Sequence, residues 1–191
     1  LPSSFDSQQL KKKITNSQFP KNFINEPYLD FAVEENRSQI IQALGRFQKS
    51  QIVYPVVNGK SITRDDIMNR TNPSASGEII AKVHMSSVED AEKAISSAHQ
   101  FFSSWKKVPV GTRSQLVLKL ADLMKARRFD LIATQVMEVG KPWAEADADV
   151  AEAIDFCIYY AEHMKKLSSP TRVGQVAGET SEYIYRPRGV A

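Results

Sequence analysis

The chain has 191 residues, 42% of them hydrophobic and 25% charged, enough apolar material for a folded domain with its own core. A formal net charge of +3 is small and dispersed, and the one dense basic run, Lys11-Lys12-Lys13, reads as a solvated face, which argues against nucleic-acid binding. No apolar stretch reaches membrane-spanning length and the N-terminus lacks the layout of a secretory signal, so a soluble, cytoplasmic protein is expected.

Residues 1 to about 34 are polar with scattered aromatics, Phe19, Phe23, Tyr28 and Phe31, and read as an arm lying on another surface. From Glu35, the residues Ile40, Ile41, Leu44 and Phe47 recur at helical spacing and predict a short amphipathic helix, weakened by Gly45. The runs Ile52 to Val57 and Lys60 to Ile62 flank Asn58-Gly59. Both central residues of a type I′ turn need positive φ, so this pair predicts a β-hairpin. Pro55 confines the first of its strands to an edge or a strand start. After the turn-rich Asn72 to Gly77, the run Glu78 to Met85 reads as another strand.

Ser86-Ser-Val-Glu89 has the form of a capping box and opens a stripe of Val88, Ala91, Ile95, Ala98, Phe102 and Trp105, the spacing of a helix with one buried face. Val108-Pro109-Val110-Gly111 breaks it, and Thr112 is placed to cap a second helix carrying Leu116, Leu120, Leu123 and Met124. A third runs from Phe129 to Val139 and stops at Gly140, with Pro142 beyond. The longest, Trp143 to Leu167, sets Val150, Ile154, Cys157, Ala161 and Met164 on one face, and Glu145, Asp149, Glu152, Phe156 and His163 on another. Glu182 to Arg186 then alternates as a strand. Three or four strands arranged this way do not close a sheet, so their edges are expected to pair with the remainder of a longer chain or with another subunit. A start at Leu1 and a stop just after a strand-like run lead us to expect a fragment cut within a fold.

Chemistry-bearing residues are sparse. Cys157 falls mid-helix on the apolar face with no cation beside it in sequence, and is expected to be a buried packing residue. His84, His99 and His163 are too scattered for metal-ligand spacing, so no metal is expected, and no glycine-rich phosphate motif occurs. Glu145, Asp147, Asp149, Glu152 and Asp155 crowd the first half of the longest helix, where the helix dipole accounts for Glu145 and Asp147. Glu152, sharing a face with Phe156, is open to two readings. One is a solvated charge run; the other is a carboxylate lining a pocket for a polar or cationic substrate.

Several pieces together carry a family resemblance. Asn72-Pro73 with Gly77-Glu78, Ala94 to Trp105 ending Phe101-Phe102-Ser-Ser-Trp105, Arg113 with Leu116 and Leu120-Ala121, and Glu138-Val-Gly140-Lys141-Pro142 fall in the order seen in aldehyde dehydrogenases, which the chain resembles from about Tyr54 to Ala191. A branch is suggested by Asn25-Glu26-Pro27-Tyr28-Leu-Asp30-Phe31, Tyr54-Pro55 with Asn58-Gly59, Val150 to Phe156, and Thr171-Arg172-Val-Gly174 with Gly178-Glu179. These are similar to L-glutamate γ-semialdehyde (1-pyrroline-5-carboxylate) dehydrogenase, alone or as the C-terminal half of bifunctional proline utilization A.

The resemblance implies an α/β fragment: the helix-rich N-terminal part of the aldehyde dehydrogenase fold, with a β-hairpin and incomplete oligomerisation strands. Its divisions would be 1–50, an arm and short helix; 51–85, the hairpin and strand; 86–168, the helical part of the cofactor-binding domain; and 169–191, a truncated strand of the oligomerisation arm. It further implies NAD+-dependent oxidation of a small aldehyde to L-glutamate in proline breakdown, by a homo-oligomer, with Glu152 lining the aldehyde site. No catalytic or cofactor-binding residue is assigned within this chain. The family's nucleophilic cysteine, general-base glutamate and most of its NAD site lie downstream, and a Pro-Trp-Asn-Phe segment would be expected shortly beyond Ala191. The alternatives are an aldehyde dehydrogenase of other specificity and a non-catalytic oligomerisation module.

Overall fold

A computed structural model describes residues 23–47 and 51–190. Phe19 and the Lys11-Lys12-Lys13 run lie outside the described residues. The described elements are helix α1 (Glu34–Arg46), strands β1 (Gln51–Val53), β2 (Val56–Val57), β3 (Lys60–Ser61), β4 (Ile67–Asn72) and β5 (Ala75–His84), helices α2 (Val88–Trp105), α3 (Val110–Ala126), α4 (Arg128–Val139) and α5 (Trp143–Leu167), and strands β6 (Thr171–Arg172) and β7 (Glu182–Tyr183).

The core is where α1, α3, α4 and α5 meet. Ile40 and Ala43, Ala121, Ile132 and Ala133, and Ala146, Val150 and Ile154 form its buried cluster, with Leu29, Phe31 and Trp143 packed against it. Ser114 and Ala121 are the buried residues of α3, and Ser114 Oγ donates to the carbonyl of the buried Ala161 of α5 at 3.0 Å. Cys157 is partly buried against this cluster, as its face predicts. Gly140 closes α4 in the left-handed region, at φ 69°, and Pro142 opens α5.

Asn58 and Gly59 take φ of 51° and 74°, and the type I′ hairpin forms as expected, with Val56 opposite Ser61 and Val57 opposite Lys60. Its arms are shorter than expected. Pro55, which has no N–H for a ladder, divides the run Ile52 to Val57, and β1 leaves the hairpin to pair in parallel with β5. β5 pairs antiparallel with β4 on its other side, giving the sheet order β1-β5-β4. The strand β4 was not anticipated because its sequence, Ile-Met-Asn-Arg-Thr-Asn, lacks apolar alternation. Arg70 on β4 donates to the Glu138 carbonyl at 2.7 Å, fastening the sheet to α4.

Other expectations need correction. The capping box of α2 is Ser87 with Asp90, one residue later than Ser86 with Glu89: the Met85 N–H is still held by the Asp66 carbonyl at 3.0 Å, which keeps the chain extended through Ser86. α3 begins at Val110 behind Pro109, whose fixed φ sets the first turn, so Thr112 is not its cap. The stripe on α2 is largely exposed, with Val88 at 77% and Ile95 at 63%, as are Leu116, Leu120 and Leu123 on α3, while Ser114 and Ala121 carry the buried contacts of α3. Periodicity identifies an apolar face but not the layer that covers it. In the same way Ile41 of α1 faces outward, while Ala43 is buried. β7 spans only Glu182–Tyr183, paired with β6, and Ile184 to Arg186 continue without a partner strand among the described residues.

Candidate functional site

The longest helix was expected to show two faces, and the polar one borders a cleft. The cleft has about 430 Å³ of free space. α5 supplies Ala148, Asp149, Glu152, Asp155, Phe156, Tyr159 and Tyr160, and the segment before α1 supplies Phe23, Asn25 and Tyr28. These α5 positions recur every three or four residues, so one helix presents all three carboxylates and three aromatic rings to the same space. The rings touch in sequence: Phe23 meets Tyr159 edge-on at 5.6 Å, Tyr159 meets Tyr160 edge-on at 5.5 Å, and Tyr160 stacks on Phe156 at 5.8 Å.

Each carboxylate is placed differently. Asp149 pairs with Lys141. Asp155 is occupied at both oxygens, Oδ2 accepting from Asn25 Nδ2 at 2.7 Å and Oδ1 from the Glu26 N–H at 2.8 Å. Glu152, between them, is exposed and has no hydrogen-bond or ion-pair partner among the described residues. Among the described residues it is therefore the carboxylate of this cleft with both oxygens open to a donor. Glu145 and His163, expected on the same face, are not part of the cleft. His163 packs on the Tyr159 ring at 4.1 Å and lines a second, apolar cavity of about 360 Å³ with Arg113, Trp105 and Met164. Tyr160 borders both spaces.

The acidic run is only in part the solvated series that charge patterning suggests: Glu145 and Glu152 are exposed, whereas Asp147 is not. Asp147 is 1% exposed: its Oδ1 accepts from Arg128 Nε at 2.7 Å and its Oδ2 from the Leu29 N–H at 2.7 Å. Arg128 also donates to the Pro27 carbonyl at 2.9 Å and pairs with Glu26 at 3.2 Å, and Lys125 reaches the other Glu26 oxygen at 2.7 Å. The helix dipole is thus a minor part of the reason an aspartate stands at position 147. The sequence signal for this arrangement is Asn25-Glu26-Pro27-Tyr28, a motif whose contacts lie across the fold and could not be read from its own neighbourhood.

A second charged pair lies at the start of α2. The Arg64 guanidinium bonds to Asp90 through two nitrogens, and with the Ser87 N–H it holds the Asp90 carboxyl down at about 2. His84 is buried below, stacked on Tyr54 with ring centres 4.6 Å apart, its Nδ1 within 2.6 Å of the Arg64 carbonyl oxygen, which makes it a structural histidine. Among the described residues no group of three or more His, Cys, Asp and Glu side chains is placed to hold a metal ion, and no helix is long and apolar enough to cross a membrane.

Comparison with known proteins places this chain. A profile described as the aldehyde dehydrogenase family matches residues 60–191. The chain is 39% identical over 168 residues to 1-pyrroline-5-carboxylate dehydrogenase 1 of Halalkalibacterium halodurans, covering 87% of this chain and 33% of that protein. It is 38% identical over 169 residues to the 1-pyrroline-5-carboxylate dehydrogenase of Staphylococcus epidermidis, with the same coverage. Among solved structures, proline utilization A from Bdellovibrio bacteriovorus superposes with a TM-score of 0.85 at 49% identity, covering 90% of this chain and 18% of that one. A Thermus 1-pyrroline-5-carboxylate dehydrogenase with bound NAD superposes with a TM-score of 0.82 at 38% identity, covering 88% and 33%. The chain thus spans about a third of the length of the curated relatives it matches. With its helices and small sheets matching the N-terminal part of that fold, the chain belongs to the aldehyde dehydrogenase family.

Proposed function

We propose that the protein carrying this chain oxidises L-glutamate γ-semialdehyde to L-glutamate with NAD+, in the cytoplasm, as a step of proline breakdown, and that the cleft on α5 is where the aldehyde enters. The kinship with 1-pyrroline-5-carboxylate dehydrogenases supports the substrate class. The observation that carries the reading for this chain is Glu152, a carboxylate without a partner among the described residues, standing in a cleft walled by Phe156, Tyr159, Tyr160 and Tyr28. The substrate carries an ammonium group, which a free carboxylate accepts from and aromatic faces attract. Glu152 therefore binds and orients the substrate, while Asp149 and Asp155 are already engaged within the protein.

The strand-to-helix crossing from β5 to α2 carries Ser87 and Asp90 in place of a glycine-rich turn, and the buried Asp90 carboxylate occupies the helix N-terminus where a pyrophosphate would otherwise be held. On this ground we assign NAD+ binding to the rest of the protein, and on the family resemblance the nucleophilic cysteine and the general base as well, leaving substrate selection as this chain's share of the chemistry. Assembly into a homo-oligomer fits the β6–β7 hairpin, where Val173, Val176 and Ile184 are exposed and Tyr183 and Tyr185 pack edge-on at 5.0 Å.

The test is Glu152→Ala in the full-length protein. Losing a charged acceptor is expected to raise KM for the semialdehyde about tenfold, with a smaller effect on propanal, which has no ammonium. Equal kinetics of variant and wild type on both aldehydes would discard the cleft as the aldehyde site.

A further inference from the structure

The stretch from Phe23 to Leu29 contains no helix or strand, yet it is fixed along its length. Asp155 grips Asn25 and Glu26, and Asp147, eight residues earlier on α5, grips the Leu29 N–H. Eight helical residues rise about 12 Å and the three extended residues from Glu26 to Leu29 reach about 10 Å, so the spacing of the two aspartates matches a strap running antiparallel to α5. Arg128, itself buried, closes the strap from beneath through Glu26 and the Pro27 carbonyl. Phe23, Asn25 and Tyr28 of this strap line the same cleft as Glu152. A backbone with no ladder of its own has thus been built into the wall of a binding space, and the side chain that holds its cleft end is one turn of helix from Glu152.

We infer that the strap 23–29 is a specificity wall of the aldehyde cleft and that Asp155 is the positioning residue that sets it. Both Asp155 oxygens are taken up by the strap, so it acts on a substrate through Asn25 and Tyr28. An aldehyde whose far end is polar and long enough to pass Glu152 meets this wall, whereas a short aliphatic aldehyde does not. The inference rests on the aldehyde reading of the cleft.

The experiment measures KM and kcat for L-glutamate γ-semialdehyde and for propanal in the full-length protein, as wild type, Asp155→Ala, Asp155→Asn, Tyr28→Ala and Glu152→Ala. Asp155→Ala is expected to raise KM for the semialdehyde about tenfold with kcat changed less than about twofold, and to move KM for propanal less than about twofold. Asp155→Asn retains one acceptor oxygen and falls between. Tyr28 is 73% exposed and outside the clamp, so Tyr28→Ala folds normally and raises KM for the semialdehyde in the same selective way. If Asp155→Ala does not fold, Asp155→Asn and Tyr28→Ala decide the matter. A parallel loss on both aldehydes, or a wild-type KM in Asp155→Asn and Tyr28→Ala, overturns the strap while a raised KM in Glu152→Ala keeps the cleft. A wild-type KM in all four variants overturns the strap and the aldehyde reading together.

Discussion

Replacing Asp147 by alanine tests whether the arm is held by a buried carboxylate or merely rests on the helices. Asp147 is 1% exposed and serves two donors, the Leu29 N–H and the Arg128 guanidinium, each at 2.7 Å. The full cost of breaking a buried ion pair is about 3–5 kcal/mol. Arg128 keeps Glu26 and the Pro27 carbonyl in the variant, which offsets part of that cost. The Leu29 N–H loses its charged acceptor, worth about 1.5–3 kcal/mol. A local loss on the order of 3 kcal/mol follows, or roughly a hundredfold in the opening equilibrium of the arm. Amide hydrogen exchange at Leu29 in the full-length protein reads this directly, and does so without requiring that unfolding of the whole molecule be two-state. Exchange accelerated less than about fivefold would refute the claim that Asp147 anchors the arm. So would equal acceleration at Leu29 and at core amides such as Ile132, which would mean a general loosening instead.

Three further outcomes are expected. Asp90 titrates near 2 when folded, against an ordinary value of 3.8, so its stabilising contribution is fully present above about pH 4 and is lost as the pH falls toward 2; unfolding midpoints taken from pH 6 to pH 2 should fall less steeply in Asp90→Asn than in the wild type over that window. Gly140→Ala places a Cβ 3.2 Å from Pro73 Cγ at φ 69°, and should destabilise by about 1–2 kcal/mol in denaturant unfolding, whereas Gly45→Ala, inside α1 with open space around it, should stabilise by about 0.5–1 kcal/mol; equal midpoints for the two variants would contradict this. The 191-residue chain by itself should show no aldehyde-dependent NADH formation and no NAD+ binding by calorimetry, and turnover from it would remove the assignment of nucleophile and dinucleotide site to the rest of the protein.

What could be read from the sequence was what depends on neighbours in the chain. The Asn58-Gly59 turn, the Gly140 stop and the apolar face of α5 each follow from a backbone conformation or a helical period, and each is present. What escaped were features decided at a distance. β4 owes its strand to pairing with β5, not to its own polar sequence, and the parallel β1 owes its place to the same partner. Two overlapping frames, Ser86 with Glu89 and Ser87 with Asp90, are equal in sequence, and the bond from Met85 to Asp66 selects the later one. In the candidate site, Glu152 and Phe156 could be placed on one face from spacing alone. Phe23, Asn25 and Tyr28 could not, because what brings them there is a set of hydrogen bonds to aspartates more than a hundred positions away.

That separation bears on synthesis as well as on binding. Asn25 and Leu29 stand 130 and 118 positions from the aspartates that secure them. At about 5–20 residues per second, a ribosome needs roughly 6–25 s after making the strap before it has made its anchors. Until α5 emerges, Phe23 and Phe31 lack the Tyr159 and Trp143 rings they pack on, whereas α3, α4 and α5 emerge as consecutive neighbours and can pack in order. The cleft wall is thus translated well before the helix that secures it, and a chaperone that shields those aromatic residues in the interval would act on the segment that lines the cleft opposite α5.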